Sequence, residues 1–89
     1  MPKVRALTAE GRREQLAKDF SFFIRRKMRE KKVSQAMLAK ELDMTQAGVS
    51  YAIDKMSLSY RQLVVICDTL HTDTGEVARY LSTLNEERR

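Results

Sequence analysis

The sequence predicts an all-α fold, a single compact domain built from five helices. Three observations predict it. Among 89 residues there are only 3 glycines and 1 proline, so long stretches run without a helix breaker. Apolar residues recur three and four positions apart in segment after segment, the spacing of one helical face. No segment alternates apolar and polar residues with the period of a strand, and no internal repeat or low-complexity stretch interrupts the pattern. A hydrophobic content of 43% suits a folded chain, and a chain this short has apolar residues for one core and little left to wall a deep catalytic cavity.

Residues 1–7 carry Lys3 and Arg5 without helical periodicity and read as a flexible basic arm; residues 8–85 form the domain and residues 86–89 a charged tail. Thr8 is a good N-cap, and Glu10 stands in the first turn, where the helix dipole favours an acid. A long first helix then runs to about Lys32, with Leu16, Phe20, Phe23, Ile24 and Met28 on one face. Phe22 falls off that stripe, as an exposed aromatic or as a partner contact. Ser34 caps a second helix to about Leu42, buried through Leu38 and Leu42 with Ala39 beside them. Thr45 caps a third, from Gln46 to about Asp54, with Val49 and Ile53 facing inward. Ser57 and Ser59 both suit the cap of a fourth helix to about Leu70, whose inner face is Leu63, Ile66, Cys67 and Leu70. Thr72, Asp73 or Thr74 starts a fifth, striped by Val77, Tyr80, Leu81 and Leu84.

The formal net charge is +5, unevenly spread. Up to Lys32 there are eleven basic and four acidic residues, a formal +7; from Val33 onward there are six basic and eight acidic, a formal −2. A basic half joined to a slightly acidic half suggests a polyanion approached from one side. The lone cysteine, Cys67, excludes an intrachain disulfide and any metal site needing two thiolates, and its apolar surroundings mark it as core. His71 and Asp73 have no further ligand-type residues around them, so no metal or other cofactor is expected. No run approaches a membrane span, and the polar first thirteen residues lack the apolar centre of a signal peptide; a cytoplasmic protein is expected. No nucleophile–base–acid set and no phosphate-cradling glycine loop is present, so an enzyme is not expected, nor a small-molecule substrate.

The informative stretch is Gln35 to Asp54, QAMLAKELDMTQAGVSYAID. Two short helices meet across a tight turn, the layout of a helix-turn-helix. A steep crossing requires a small residue at the contact, which Ala39 supplies, with Val49 packing back from the second helix. Leu38, Leu42, Met44 and Ile53 fill the space behind them, leaving Gln46, Ala47, Ser50 and Tyr51 on the outer face.

Ser34-Gln35, Leu38-Ala39, the turn at Asp43-Met44 and Gln46-Ala47-Gly48-Val49 together resemble the helix-turn-helix of the phage repressor and Cro family, of the lambda-repressor-like type. The likeness covers nearly the whole chain, including the basic arm before Leu7-Thr8 and the two helices after the motif. It implies a regulator of transcription that binds double-stranded DNA, of phage or prophage kind, with the recognition helix 46–54 in the major groove. By resemblance, Gln35 at the start of the first motif helix holds a phosphate and Gln46 reads a base; an amide pairs bidentately with adenine N6 and N7. Ala47 takes the place of the next reader, its methyl suited to a thymine methyl, and Gly48 lets the backbone approach closely. Thr45, at the cap, joins the DNA-facing set. Ser50 and Tyr51 are candidate base or phosphate contacts by their face alone, Lys55 is a phosphate contact, and Lys3 and Arg5 on the arm wrap the duplex. Two positions depart from the family, which usually has glycine at the turn and again after the recognition helix; here these are Asp43 and Lys55. Aspartate tolerates the left-handed region better than most residues, and the loop after Asp54 is expected to differ.

One module buries only about 600–1,000 Å² on DNA, so a homodimer on a palindromic operator is expected, joined through Val77, Tyr80 and Leu84 of the fifth helix. The alternative is a protein-interaction module on the same scaffold, such as a toxin-binding antitoxin or a polymerase-docking regulator. RNA binding ranks below both, because most aromatics fall on buried stripes.

Overall fold

The computed structural model describes residues 9–87; Thr8 and the basic arm with Lys3 and Arg5, together with Arg88 and Arg89, lie outside the described residues. Within them the chain forms five helices and no strand: α1 (Ala9–Lys31), α2 (Gln35–Leu42), α3 (Gln46–Lys55), α4 (Tyr60–Thr69) and α5 (Thr74–Glu87). None of these helices is long and apolar enough to cross a membrane.

Helices α2 to α5 each begin where a side-chain oxygen takes up an otherwise orphaned amide. Ser34 Oγ accepts from Met37 N at 3.2 Å, and Thr45 Oγ1 from Gly48 N at 3.0 Å. Ser59, not Ser57, caps α4: it accepts from Gln62 N at 3.1 Å, and Gln62 Oε1 accepts from Ser59 N at 2.9 Å, a reciprocal capping box. Asp73 is the residue among the three candidates that starts α5, its Oδ1 accepting from Glu76 N at 2.7 Å. Helix α5 continues through Glu87, past the expected limit at residue 85, since no breaker stands there and glutamate is a good helix former.

The first four helices end alike, on a residue in the left-handed region that is not glycine: Lys32 (φ 57), Asp43 (φ 54), Met56 (φ 54) and His71 (φ 56). In each case the next amide reaches back five residues, as from Val33 N to Met28 O, Met44 N to Ala39 O, Ser57 N to Ala52 O and Thr72 N to Cys67 O, all at 2.9 Å. This closure satisfies the last carbonyls of the helix and turns the chain sharply. A Cβ in that region is strained, so exposed His71 is a position where glycine relieves the fold. His71→Gly is expected to raise stability by about 0.5–1 kcal/mol, the relief of strain exceeding the larger unfolded-state entropy of glycine. A thermal melt checks it; a lowered midpoint counts against strain at this turn.

The inner faces meet in one core. Phe20, Phe23, Ile24, Leu38, Val49, Ile53, Ile66 and Leu70 are its largest fully buried side chains, with Met28, Val33, Ala39, Cys67, Val77 and Leu81 around them. Every residue of the predicted α1 stripe lies in this core or packs against it, and Phe22, one position off, is 57% exposed. Helices α1 and α5 run antiparallel: Lys27 Nζ meets Glu76 Oε2 at 3.0 Å, and one turn along the Phe23 and Tyr80 rings lie 4.9 Å apart. Cys67 is buried, and burial above all pushes its thiol up to about 11, so it remains a protonated core side chain.

Candidate nucleic-acid interface

Helices α2 and α3 pack on each other across the turn at Asp43-Met44, and α3 packs chiefly on α1. Ala39 at this junction is buried, and Val49 is fully buried opposite, as small and medium residues must be for two short helices to approach closely. Asp43 supplies the left-handed residue of the turn (φ 54, ψ 50), as expected for an aspartate standing where glycine is easiest. After α3 the equivalent residue is Met56; Lys55, the other departure from the family pattern, is still helical. Met44, half-buried in the turn, also accepts at Sδ from Gln62 Nε2 at 3.6 Å and so ties the turn to α4.

Three residues, Val49, Ala52 and Ile53, anchor α3 in the core. The rest of the helix faces outward. Thr45, Gln46, Ala47, Tyr51 and Lys55 are exposed, Tyr51 to 63%. Gln35 is half-buried at the first position of α2. Gly48 is half-buried, and a Cβ built on it meets Thr45 Oγ1 at 3.1 Å, the very oxygen that caps the helix. Glycine here therefore leaves room for the cap as well as for any close approach from outside. Lys3 and Arg5 lie outside the described residues.

Ser50 differs from the expectation of a free outer-face residue. It is half-buried and held by Arg25 of α1, whose Nη2 donates to Ser50 Oγ at 3.1 Å. The same nitrogen donates to Asp54 Oδ1 at 2.8 Å, and Arg25 Nε donates to Asp54 Oδ1 at 3.3 Å and to Ser21 Oγ at 3.2 Å. Ser21 Oγ donates in turn to Asp54 Oδ1 at 2.7 Å. Two residues of α1 thus grip two residues of α3. The sequence reading missed this set, because the bonds between its two helices join residues 25 to 33 positions apart. The one signal available was an acidic residue on the face assigned to a polyanion.

The Arg25 hydrogen bond, then that from Ser21, holds the Asp54 carboxyl below its ordinary value of 3.8. A lowered folded-state value means that the pair stabilises the fold above the unfolded value and that this contribution is lost as pH falls through the folded one. The stability difference between the wild type and Asp54→Asn is therefore expected to be constant from about pH 5 upward and to vanish at lower pH. Its size is roughly 0.2–1 kcal/mol, since both side chains are partly exposed and screened. Urea midpoints of both proteins across pH 2–7 measure it, and parallel curves down to the acid limit rule it out.

Arg29, Lys31 and Lys32 stand exposed at the end of α1, and an open cleft of about 430 Å³ at the α1–α2 corner is lined by Arg25, Arg29 and Lys32 with Met28, Val33 and Ser34. On α5, Val77 is taken up by the core of its own chain, whereas Tyr80 and Leu84 are half-buried. Among the described residues no group of three or more His, Cys, Asp and Glu side chains is placed to hold a metal ion.

No family model, curated protein or solved structure matches the chain.

Proposed function

We propose that this protein is a sequence-specific double-stranded DNA-binding regulator of transcription, of the phage repressor and Cro helix-turn-helix kind. It acts in the cytoplasm by binding rather than by catalysis. The observation that carries this reading is the mounting of α3: three buried residues fix the helix against the core and α1, while Gln46, Ala47 and Tyr51 are presented to solvent. A helix so mounted is suited to enter the major groove, which admits one α-helix and displays a distinct donor and acceptor pattern for each base pair. Gln46 and Ala47 read bases. Gln35 and the N-terminus of α2 hold a phosphate, and Lys55 holds another; Tyr51 contacts the backbone or a base edge. The protein works as a homodimer on a palindromic operator, with Tyr80 and Leu84 of α5 as the contact, since Val77 is buried within the protomer.

Selection of bound sites from a random duplex library at about 150 mM salt tests this, because non-specific binding is suppressed there. Recovery of an inverted repeat with half-sites about 34 Å apart supports a dimeric operator binder. Recovery of no motif, with affinity collapsing as salt rises, rejects it in favour of a protein partner such as a toxin or a polymerase subunit.

A further inference from the structure

We propose that Arg25 is the positioning residue of this interface: from α1 it sets α3 in place, neutralises Asp54 and turns the Ser50 hydroxyl into a donor aimed at the groove. The inference rests on the DNA-binding reading and goes beyond it, by naming a specificity determinant outside the helix that would enter the groove.

Asp54 lies on the same outward side of α3 as Ala47 and Tyr51, and it is exposed. A bare carboxylate there repels phosphate. The Arg25 guanidinium, 2.8 Å away, cancels that charge and fixes the carboxylate against α1. The same guanidinium donates to Ser50 Oγ. A hydroxyl has one proton and two lone pairs, and with a cation already donating into one lone pair a second donor is disfavoured. The Ser50 proton then remains for an acceptor. In the major groove acceptors are purine N7, guanine O6 and thymine O4, whereas adenine N6 and cytosine N4 are donors. Ser50 therefore selects a base edge that accepts, and it does so because Arg25 occupies its other side. Ser21 completes the clamp by donating to the same Asp54 oxygen, which leaves Arg25 little freedom to swing away.

The test is site selection and equilibrium binding with the wild type, Arg25→Met, Arg25→Lys, Ser50→Ala and the double variant Arg25→Met/Ser50→Ala, each verified as folded by circular dichroism. Arg25→Met is expected to lower affinity for the selected operator about tenfold or more, the loss of a charged hydrogen bond, and to relax preference at one base pair per half-site. Ser50→Ala is expected to relax the same base pair, and the double variant no further. Arg25→Lys keeps the charge without the planar fork, so it is expected to restore affinity at low salt but not the base preference. Base preference unchanged in Arg25→Met, or in Arg25→Lys should the first variant not fold, overturns the proposal. So does an equal loss of affinity for operator and random duplex. A wild type that selects no site overturns the DNA-binding reading itself, an outcome distinct from a selective wild type with indifferent Arg25 variants.

Discussion

Replacing Phe23 by alanine is expected to destabilise the protein by about 3–5 kcal/mol, a large part of the total stability of a domain this size. Phe23 is 1% exposed and sits where α1 meets α5. Its ring lies 4.9 Å from that of Tyr80 and faces two cations, Arg26 at 5.6 Å and Lys27 at 5.6 Å from its centroid. Truncation removes the transfer energy of the ring and leaves a cavity that two helices cannot close without shifting. It also strips Tyr80 and the cations of their aromatic neighbour. Phe22→Ala provides the contrast. Phe22 is the next residue along the chain but is 57% exposed, so its loss is expected to stay within about 0.5 kcal/mol. Urea denaturation of the two variants, compared at equal slope, decides the matter. Similar midpoints for both would mean that the α1–α5 contact is not part of the cooperative core.

Replacing Gln46 by alanine is expected to weaken operator binding by about 1–3 kcal/mol, roughly fivefold to 150-fold, while leaving the fold intact. Gln46 is the first residue of α3 and exposed, and the helix start is held by Thr45 rather than by Gln46. Alanine is a better helix former, so stability is expected to change by less than about 0.5 kcal/mol. On the proposed reading the expected loss is one of readout: an amide able to pair with adenine N6 and N7 disappears, and preference at one base pair per half-site relaxes. Gln35→Ala is expected to act otherwise, weakening operator and random duplex alike, because a phosphate carries no sequence. Titrations of both variants against operator and random duplex separate the two roles. If both variants lose affinity in the same proportion on both duplexes, Gln46 is not a base reader.

Most of the architecture was legible in the sequence because it depends on short-range rules. The stripe of Leu16, Phe20, Phe23, Ile24 and Met28 follows from helical geometry, and α1 buries that face. Ser34, Thr45 and Ser59 cap helices because their oxygens reach amides three residues on. Where local signals were ambiguous, packing chose among them. Ser59 prevailed over Ser57 because Ser57 N is drawn back to Ala52 O in the closure of α3. Asp73 started α5 because its carboxylate reaches Glu76 N.

The residues proposed to face DNA divide along the same line. Gln46, Ala47 and Tyr51 are exposed as the helical period required, and Asp43 takes the left-handed turn as its chemistry allowed. Ser50 is not free on that face, since its half-buried hydroxyl accepts from Arg25 of another helix. Val77 stood with Tyr80 and Leu84 on one predicted stripe, yet only the depth of α5 against α1 and α4 determined that Val77 lies inside.

The sequence by itself determined five helices, the caps Ser34 and Thr45, the apolar stripe of each helix and a basic half set against a slightly acidic one. Periodicity and capping act within about four residues, so the chain states them locally. The tertiary structure alone decided that Arg25, Ser21, Ser50 and Asp54 meet through one carboxylate oxygen and two hydroxyls. It alone decided which half-buried residues α5 leaves accessible. Such contacts depend on how two helices cross and how deeply they pack, and no spacing within a single helix records either.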